Sequence, residues 1–347
     1  MMMQVAMLYG PEDVRFESIP VPEPGHGEVL VHVEVALTDG TDMKTYKRGG
    51  HIMLGGKMPS PFGHEFAGFV EKVGPGVTKV KKGTRVVAAN SAPCLHCFYC
   101  LHNQYSLCED LLFLNGAYAQ YILIPQRIVS VNLYEIADGV PYAHAAMTEP
   151  LACVVHGIDV CDIRLSDTVV VNGAGAIGLM LCRLAALRGA RVIVCDQHPE
   201  RLAMARRFGA SATVQITDDI DQVAAVKALT DERRGTDISI EAVGLPSLWE
   251  KTVNMTRKGG LAVMFGGAPH GTSMSVDTKF MHYGEVTIRG VFHHTPRYVK
   301  DALELIAHDR IDMDALISDT LPLSRLSDAI AGMSGRDGFK YALIPGH

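Results

Sequence analysis

Residues 168–178 read TVVVNGAGAIG, an apolar run closed by glycines at 173, 175 and 178. The run shows no polar alternation, so it reads as a strand buried on both faces, which is the habit of a parallel sheet covered by helices. The glycines follow it at once and precede the helix-like stretch LMLCRLAALRG (179–189), the context in which G-x-G-x-x-G binds a dinucleotide. Gly173 permits the tight turn, Gly175 lets a pyrophosphate approach the backbone, and Gly178 allows close helix packing. Ala176 and Ile177 fall in the first helical turn, whose N–H groups hold phosphate. A second run, RVIVCD (191–196), ends in Asp196, 18 residues after Gly178, close to the spacing of a carboxylate that binds ribose hydroxyls. The competing reading is a strand-to-helix turn whose glycines serve packing alone. Asp196 would repel a 2′-phosphate and no arginine follows it at once, so NAD is expected in preference to NADP. His198 and Arg201 are the cationic groups nearby.

Moving outward, the same texture continues from about residue 151 through ISIEAVG, LAVMFGG and VTIRGVF, with helical stretches such as PERLAMARRFG between. Strands alternating with helices predict a doubly wound α/β domain over 151–291. The first 150 residues differ: short alternating runs such as EVLVHVEVAL are separated by turn signals such as PGHGE and KKGT, and a strand-dominated domain is expected there. The stretch 292–347, with the helical RYVKDALELIAHD and the strand-like FKYALIP, is expected to return to that first domain.

With 347 residues, 48% hydrophobic and 20% charged, the chain has an ordinary globular composition. A formal charge of −6 with intermixed lysines and arginines offers no basic face for nucleic acid or anionic lipid, so small-molecule partners are expected. No apolar run approaches the ~18 to 20 residues that span a bilayer, and MMMQVAMLYGPEDV lacks the pattern of a secretory leader. A cytoplasmic protein without a membrane partner is expected.

Half of the eight cysteines lie between 94 and 108; Cys153, Cys161, Cys182 and Cys195 sit in apolar stretches. Cys94, Cys97, Cys100 and Cys108 form C-x2-C-x2-C-x7-C, within a lobe over about 90–110. That spacing can fold four thiolates around one tetrahedral zinc, a closed site that stabilises a loop and leaves no position for substrate. An iron–sulfur cluster is the alternative, although the spacing is atypical for one, and unliganded thiols would be odd in a polar loop.

Gly63-His64-Glu65 continues as F-A-G-F-V-E-K-V-G-P-G-V, giving GHE-x2-G-x5-G-x2-V. With the cysteine lobe and the later glycine motif, in this order, the chain closely resembles the zinc-containing medium-chain dehydrogenase/reductase superfamily over essentially its whole length. The resemblance implies a Rossmann domain beside a strand-rich, GroES-like, partly open barrel that binds substrate. It further implies two zinc ions per chain, NAD-linked oxidation of an alcohol, and a homodimer or homotetramer. In that family the catalytic zinc is held by a cysteine in C-G-[ST]-D, the histidine of GHE, and a cysteine or glutamate near the domain junction. Here the first motif aligns with Asp39-Gly40-Thr41-Asp42, so aspartate stands where cysteine is expected; His64 matches, and the third position falls on Glu149 in T-E-P-L-A. Glu65 is implied as an alternate ligand. Zinc accepts carboxylate oxygen at ~2.0 to 2.2 Å, so the substitution is tolerable, and an Asp–His–Glu set is harder than one with sulfur. Loss of the metal, leaving a binding protein of the same fold, is the competing reading.

The Thr41 hydroxyl is expected to pass the substrate proton onward. Lys44 stands where family members often carry a relay histidine. Asp42 is expected to buttress the loop or a ligand, and His156 to pack as readily as to function. Glu149 and Y-K-R-G after the Asp39 loop make the chain look like sorbitol, threonine and glucose dehydrogenases, with Lys44, Tyr46, Glu65 and His293 as hydrogen-bonding groups for a polyol or sugar. Threonine oxidation, simple alcohol oxidation and double-bond reduction are the alternatives, the last disfavoured by the GHE and cysteine motifs.

Overall fold

The computed structural model describes residues 1–335 and 338–346. It divides into two compact units, Met1–Ala152 with His294–His347, and Cys153–His293.

In the second unit, the described residues form a six-stranded parallel sheet in the order Ala212–Gln215, Arg191–Asp196, Thr168–Asn172, Thr236–Glu241, Thr256–Met264, Thr287–Gly290. The order reverses at Thr168–Asn172, the first strand of the unit, and such a switch point places ligands at the carboxyl ends of the strands. Val170, Ile193, Cys195, Val214, Val226 and Met255 pack together on one side, and Val253, Ala262, Met264 and Val286 form a second cluster. Each valine or isoleucine removed from water in this way contributes ~1.5 to 3 kcal/mol, although Thr236–Glu241 alternates polar and apolar residues and buries Ser239 and Glu241. Asn172 is a buried exception, satisfied by Thr252 and Gln222.

The first unit is built on antiparallel strands. Among the described residues, Val29–Leu37 lies between Glu65–Val73 and Lys340–Ile344 in one curved sheet and also pairs with Tyr121–Ile124. Its apolar interior is drawn from residues such as Val31, Val33, Phe66, Val70, Ile122, Ile124 and Leu343. Because Val29–Leu37 and Glu65–Val73 run side by side, the segments that follow the first and precede the second meet at one end of the sheet. Those segments carry Asp39 and His64. Among the described residues, no helix is long and apolar enough to cross a membrane.

Candidate active site and metal centres

The cysteine lobe is held by local backbone geometry. Leu95 sits in the left-handed region at φ 68°, a conformation that costs a non-glycine residue of order 1 kcal/mol or more. That turn aims the amides of His96 and Cys97 at Cys94 Sγ, at 3.5 and 3.3 Å, and the amide of Cys94 donates to Cys108 Sγ at 3.2 Å. The sulfur atoms of Cys94 and Cys100 lie 3.9 Å apart, as do those of Cys97 and Cys108. Zinc–sulfur bonds of ~2.3 Å in a tetrahedron give edges of about 3.8 Å, so the sulfurs already stand at ligand spacing, far beyond the ~2.05 Å of a disulfide. Backbone N–H groups of Cys100 and Glu109 draw the Cys97 thiol down to about 6, while burial pushes Cys100 up to about 12. Four sulfurs at this spacing could hold a metal ion, and the donor set fits zinc.

The second group gathers on the first unit's sheet. Asp39 precedes the helix Gly40–Arg48, and Asp42 lies in that helix's first turn, its Oδ2 accepting the Asp39 amide at 3.1 Å. His64 stands just before the strand Glu65–Val73 and is buried. Its Nδ1 lies 3.1 Å from Asp42 Oδ1, and its Nε2 faces Asp39, whose Oδ2 is 3.4 Å away. Ligand bonds near 2.0 to 2.1 Å in a tetrahedron give an edge of about 3.3 to 3.4 Å, so this pair fits zinc without rearrangement. Tyr118 steadies the arrangement from below: its hydroxyl donates to Asp42 Oδ2 and lies 3.1 Å from the Leu37 carbonyl. Gly63, at φ 86°, lies so close to this ring that a Cβ would approach the Tyr118 ring to 2.7 Å. The glycine of GHE is thus required by the tyrosine that holds Asp42.

Charge balance supports the same reading. Burial works against a charge on His64, but the carboxylates of Asp42, Asp39 and Glu149 outweigh it and hold its pKa well above the ordinary value. Burial would raise Asp39 too, yet the Lys340 ammonium and the His64 and Thr41 hydrogen bonds keep its carboxyl below the usual range. Glu149 is pushed up to about 7, first by burial and then by Asp39, against the pull of His64 and Lys340. The pocket therefore calls for positive charge beside His64 Nε2.

Glu149, in the helix Thr148–Asp159, is buried; its Oε1 lies 3.7 Å from His294 Nε2, and the same nitrogen is 3.1 Å from Asn90 Oδ1. Asp39, His64 and Glu65 have ligand atoms within 4.8 Å of one another. The carboxylate of Glu65, however, is engaged: Lys340 Nζ donates to Oε1 and Oε2 at 2.8 and 2.7 Å and to the Thr38 carbonyl at 2.8 Å, all of it buried. Ligation by Glu65 requires that ion pair to open. Tyr46 packs against the sheet's apolar core, and His156 Nδ1 bonds the His293 carbonyl at 2.8 Å.

Sequence reasoning passed over Lys340, Tyr118, Asn90 and His294. For Lys340 a signal existed, a lysine inside the strand-like FKYALIP, where a charge needs a buried partner. Tyr118, Asn90 and His294 carried no spacing by which to find them.

In the second unit, Gly173 has φ 103°, and a Cβ on Gly178 would fall 1.8 Å from the Gly173 carbonyl oxygen, so the helix Ala176–Leu187 docks on the turn only through glycine. At Gly175 a Cβ would meet nothing within 4 Å, which leaves a cradle in front of the helix N-terminus where Ala176 and Ile177 lie. This open space, backed by helix N–H groups, suits a pyrophosphate. Asp196 accepts the amides of Ala174 at 2.7 Å and His198 at 3.0 Å, bracing the glycine loop against the adjacent strand. Arg201 lies in the following helix, Pro199–Arg207.

A family model described as "Alcohol dehydrogenase GroES-like domain" matches residues 25–133, and one described as "Zinc-binding dehydrogenase" matches residues 176–308. A sorbitol dehydrogenase of Bacillus subtilis (strain 168) is 31% identical over 337 residues, covering 94% of this chain and 92% of its own. An erythritol/L-threitol dehydrogenase of Mycolicibacterium smegmatis is 31% identical over 364 aligned positions, covering 99% and 98%. A structure from Sinorhizobium meliloti 1021, assigned as a zinc-binding dehydrogenase and bound to NADP, superposes with a TM-score of 0.90 at 29% identity, covering 99% of this chain and 100% of its own. With sequence likeness running nearly end to end in these relatives, and with the strand-rich GroES-like unit and the Rossmann sheet both present, the chain belongs to the zinc-binding dehydrogenases of the medium-chain dehydrogenase/reductase superfamily.

Proposed function

We propose that this enzyme oxidises a secondary alcohol of a polyol or sugar, passing the hydride to NAD, with Asp39, His64 and Glu149 as protein ligands of a catalytic zinc and the four cysteines as ligands of a structural one. The observation that carries the reading is the Tyr118–Asp42–His64–Asp39 chain, which fixes His64 Nε2 and Asp39 Oδ2 at ligand spacing. Bound there, zinc supplies Lewis-acid stabilisation of several kcal/mol to an alcohol oxygen as it loses its proton. The protein does the rest. Asp42 holds the histidine ring, and Tyr118 holds Asp42. Thr41, whose hydroxyl bonds Asp39, carries the substrate proton toward solvent. Lys340 neutralises Glu65, so that this carboxylate does not add to the negative charge facing the substrate.

The glycine loop around Gly175 holds the pyrophosphate, and Asp196 takes the adenosine ribose. A 2′-phosphate would meet that carboxylate, which favours NAD; Arg201, and NADP in the Sinorhizobium structure, weigh on the other side. A polyol is favoured because the sorbitol and erythritol/L-threitol dehydrogenases match this chain over more than nine-tenths of its length. We also place the chain in a homodimer or homotetramer, a reading supported by the strand Thr287–Gly290, which among the described residues pairs on one side only.

The test is metal content together with NADH formation on a panel of polyols, sugars, threonine and simple alcohols. Two zinc ions per chain, one lost to chelator together with activity, are expected, with a polyol turned over fastest and NAD preferred. A single tightly held zinc with no turnover of any alcohol would overturn the proposal.

A further inference from the structure

The helix Gly40–Arg48, which begins beside Asp39, stops at Gly49 in the left-handed region at φ 70°, and the chain turns back through Gly50, His51 and the short turn Ile52–Leu54. Side-chain amides hold that turn in place. Asn115 Nδ2 donates to the Met53 carbonyl at 2.8 Å, and Asn90 Nδ2 lies 3.5 Å from Met53 Sδ. Asn90 is buried, and its Oδ1 stands 3.1 Å from His294 Nε2, the same nitrogen that lies 3.7 Å from Glu149 Oε1. The turn that follows His51 is thus anchored through Asn90 and His294 toward Glu149, and the charges of His64, Asp39 and Asp42 all act on the His51 ring.

The two nitrogens of that ring are not equivalent. The Met53 amide lies 3.3 Å from His51 Nδ1, and an amide N–H can only donate, so Nδ1 accepts and the neutral ring carries its proton on Nε2. Burial, joined by the positive charges of His64 and Arg48, holds the pKa of this half-buried ring below its ordinary value against the pull of Asp39 and Asp42, which keeps it neutral near pH 7. A second proton would have to enter at Nδ1, where the Met53 N–H already points. His51 is therefore arranged to donate one hydrogen bond and not to collect a proton. Two other groups expected to serve a polyol are engaged elsewhere, Glu65 by Lys340 and Tyr46 by the apolar core.

We infer that His51 is a specificity-determining residue, its Nε2–H donating to a hydroxyl of the polyol other than the one oxidised. The inference rests on the polyol reading proposed above and goes beyond it by naming a side chain that tells a polyol from a one-hydroxyl alcohol. A site that aims a donor at a substrate hydroxyl disfavours an analogue lacking it, because the donor is then left unpaired.

The experiment compares kcat and KM for the fastest polyol of a panel containing sorbitol and erythritol with those for 2-butanol, in the full-length protein and its variants. In His51→Asn the side-chain oxygen falls where Nδ1 was and can still accept the Met53 amide, as asparagine does two residues on in many turns, but nothing reaches the place of Nε2–H. In His51→Gln the terminal amide reaches that place and restores a donor. His51→Asn is expected to lower the polyol-to-butanol ratio of kcat/KM about 3- to 10-fold, chiefly through KM for the polyol, and His51→Gln to recover most of it. If His51→Asn does not fold, His51→Phe, which keeps the ring's bulk without either nitrogen, carries the comparison. An unchanged ratio overturns the inference and leaves the polyol reading standing. So does an equal fall in kcat for both substrates with a displaced pH–rate profile, which would make His51 a proton relay. A protein that oxidises 2-butanol but no polyol overturns both.

Discussion

Lys340 Nζ donates to both oxygens of Glu65, at 2.8 and 2.7 Å, although 275 residues separate the two. Both side chains are fully buried and the third ammonium hydrogen goes to the Thr38 carbonyl, so every donor of the lysine is used. Removing one partner leaves the other as an unpaired buried charge. Lys340→Met is therefore expected to cost about 3 to 5 kcal/mol of folding stability, read as a lowered urea midpoint. The double variant Lys340→Met with Glu65→Gln should recover much of that loss. Additive losses in the double variant would show that the pair is not coupled.

Asp42 holds His64 through Nδ1 and is itself held by the Tyr118 hydroxyl. Groups that orient a metal ligand in this way typically change metal affinity about 10- to 100-fold when removed. Asp42→Ala should weaken metal binding at the second centre by that range and leave the zinc of the cysteine lobe in place, as competition with a chromophoric chelator would report. Equal loss from both centres would point to a general folding defect.

The two glycines at 175 and 178 should fail differently. Gly178→Ala drives a Cβ to within 1.8 Å of the Gly173 carbonyl, and the helix must shift, so a depressed melting temperature is expected. Gly175→Ala meets open space, so the protein should melt normally while its affinity for the dinucleotide falls. Isothermal titration beside a thermal melt separates the outcomes. Unchanged dinucleotide binding in Gly175→Ala would remove the cradle from the account.

Glu149 gives a pH signature in protein stripped of metal. Burial holds its folded pKa up to about 7, above the ~4.3 of an unfolded glutamate, so the native state binds the extra proton between these values. Its contribution to stability is then full below about pH 4.3 and is lost as the pH rises toward 7. Glu149→Gln should flatten that part of the stability–pH curve measured by urea denaturation, and a curve unchanged by the substitution would contradict the assignment.

Local chemistry in this chain was readable and long-range chemistry was not. The strand, glycine turn and helix at 168–187 follow from apolar burial and from the Gly178 approach, both of which leave their mark within a few residues. The cysteine lobe is readable for the same reason, since its donors lie within one loop. His64 and Asp39 were singled out through short motifs, and Asp42, expected to buttress the loop or a ligand, lies against His64. Glu65 shows the limit: GHE singles it out as a candidate ligand, but nothing local announces that strand pairing brings Lys340 against it. Tyr118 is hidden in the same way, because the need for Gly63 is visible in the motif while the ring that imposes it is not.

The separation of Glu65 from Lys340 also orders events in time. The lobe's four sulfurs lie within 15 consecutive residues and can capture zinc soon after that stretch leaves the ribosome. Asp39, His64 and Glu149 span more than a hundred residues, and the lysine that neutralises Glu65 is synthesised almost two hundred residues after Glu149. During translation the first metal can therefore serve as an early nucleus for its loop, while the reactive centre is completed only when the strand Lys340–Ile344 closes against Val29–Leu37. On the proposed ligand assignment, a chain that ends before Lys340 has all four sulfurs of the lobe but lacks the lysine that pairs with Glu65.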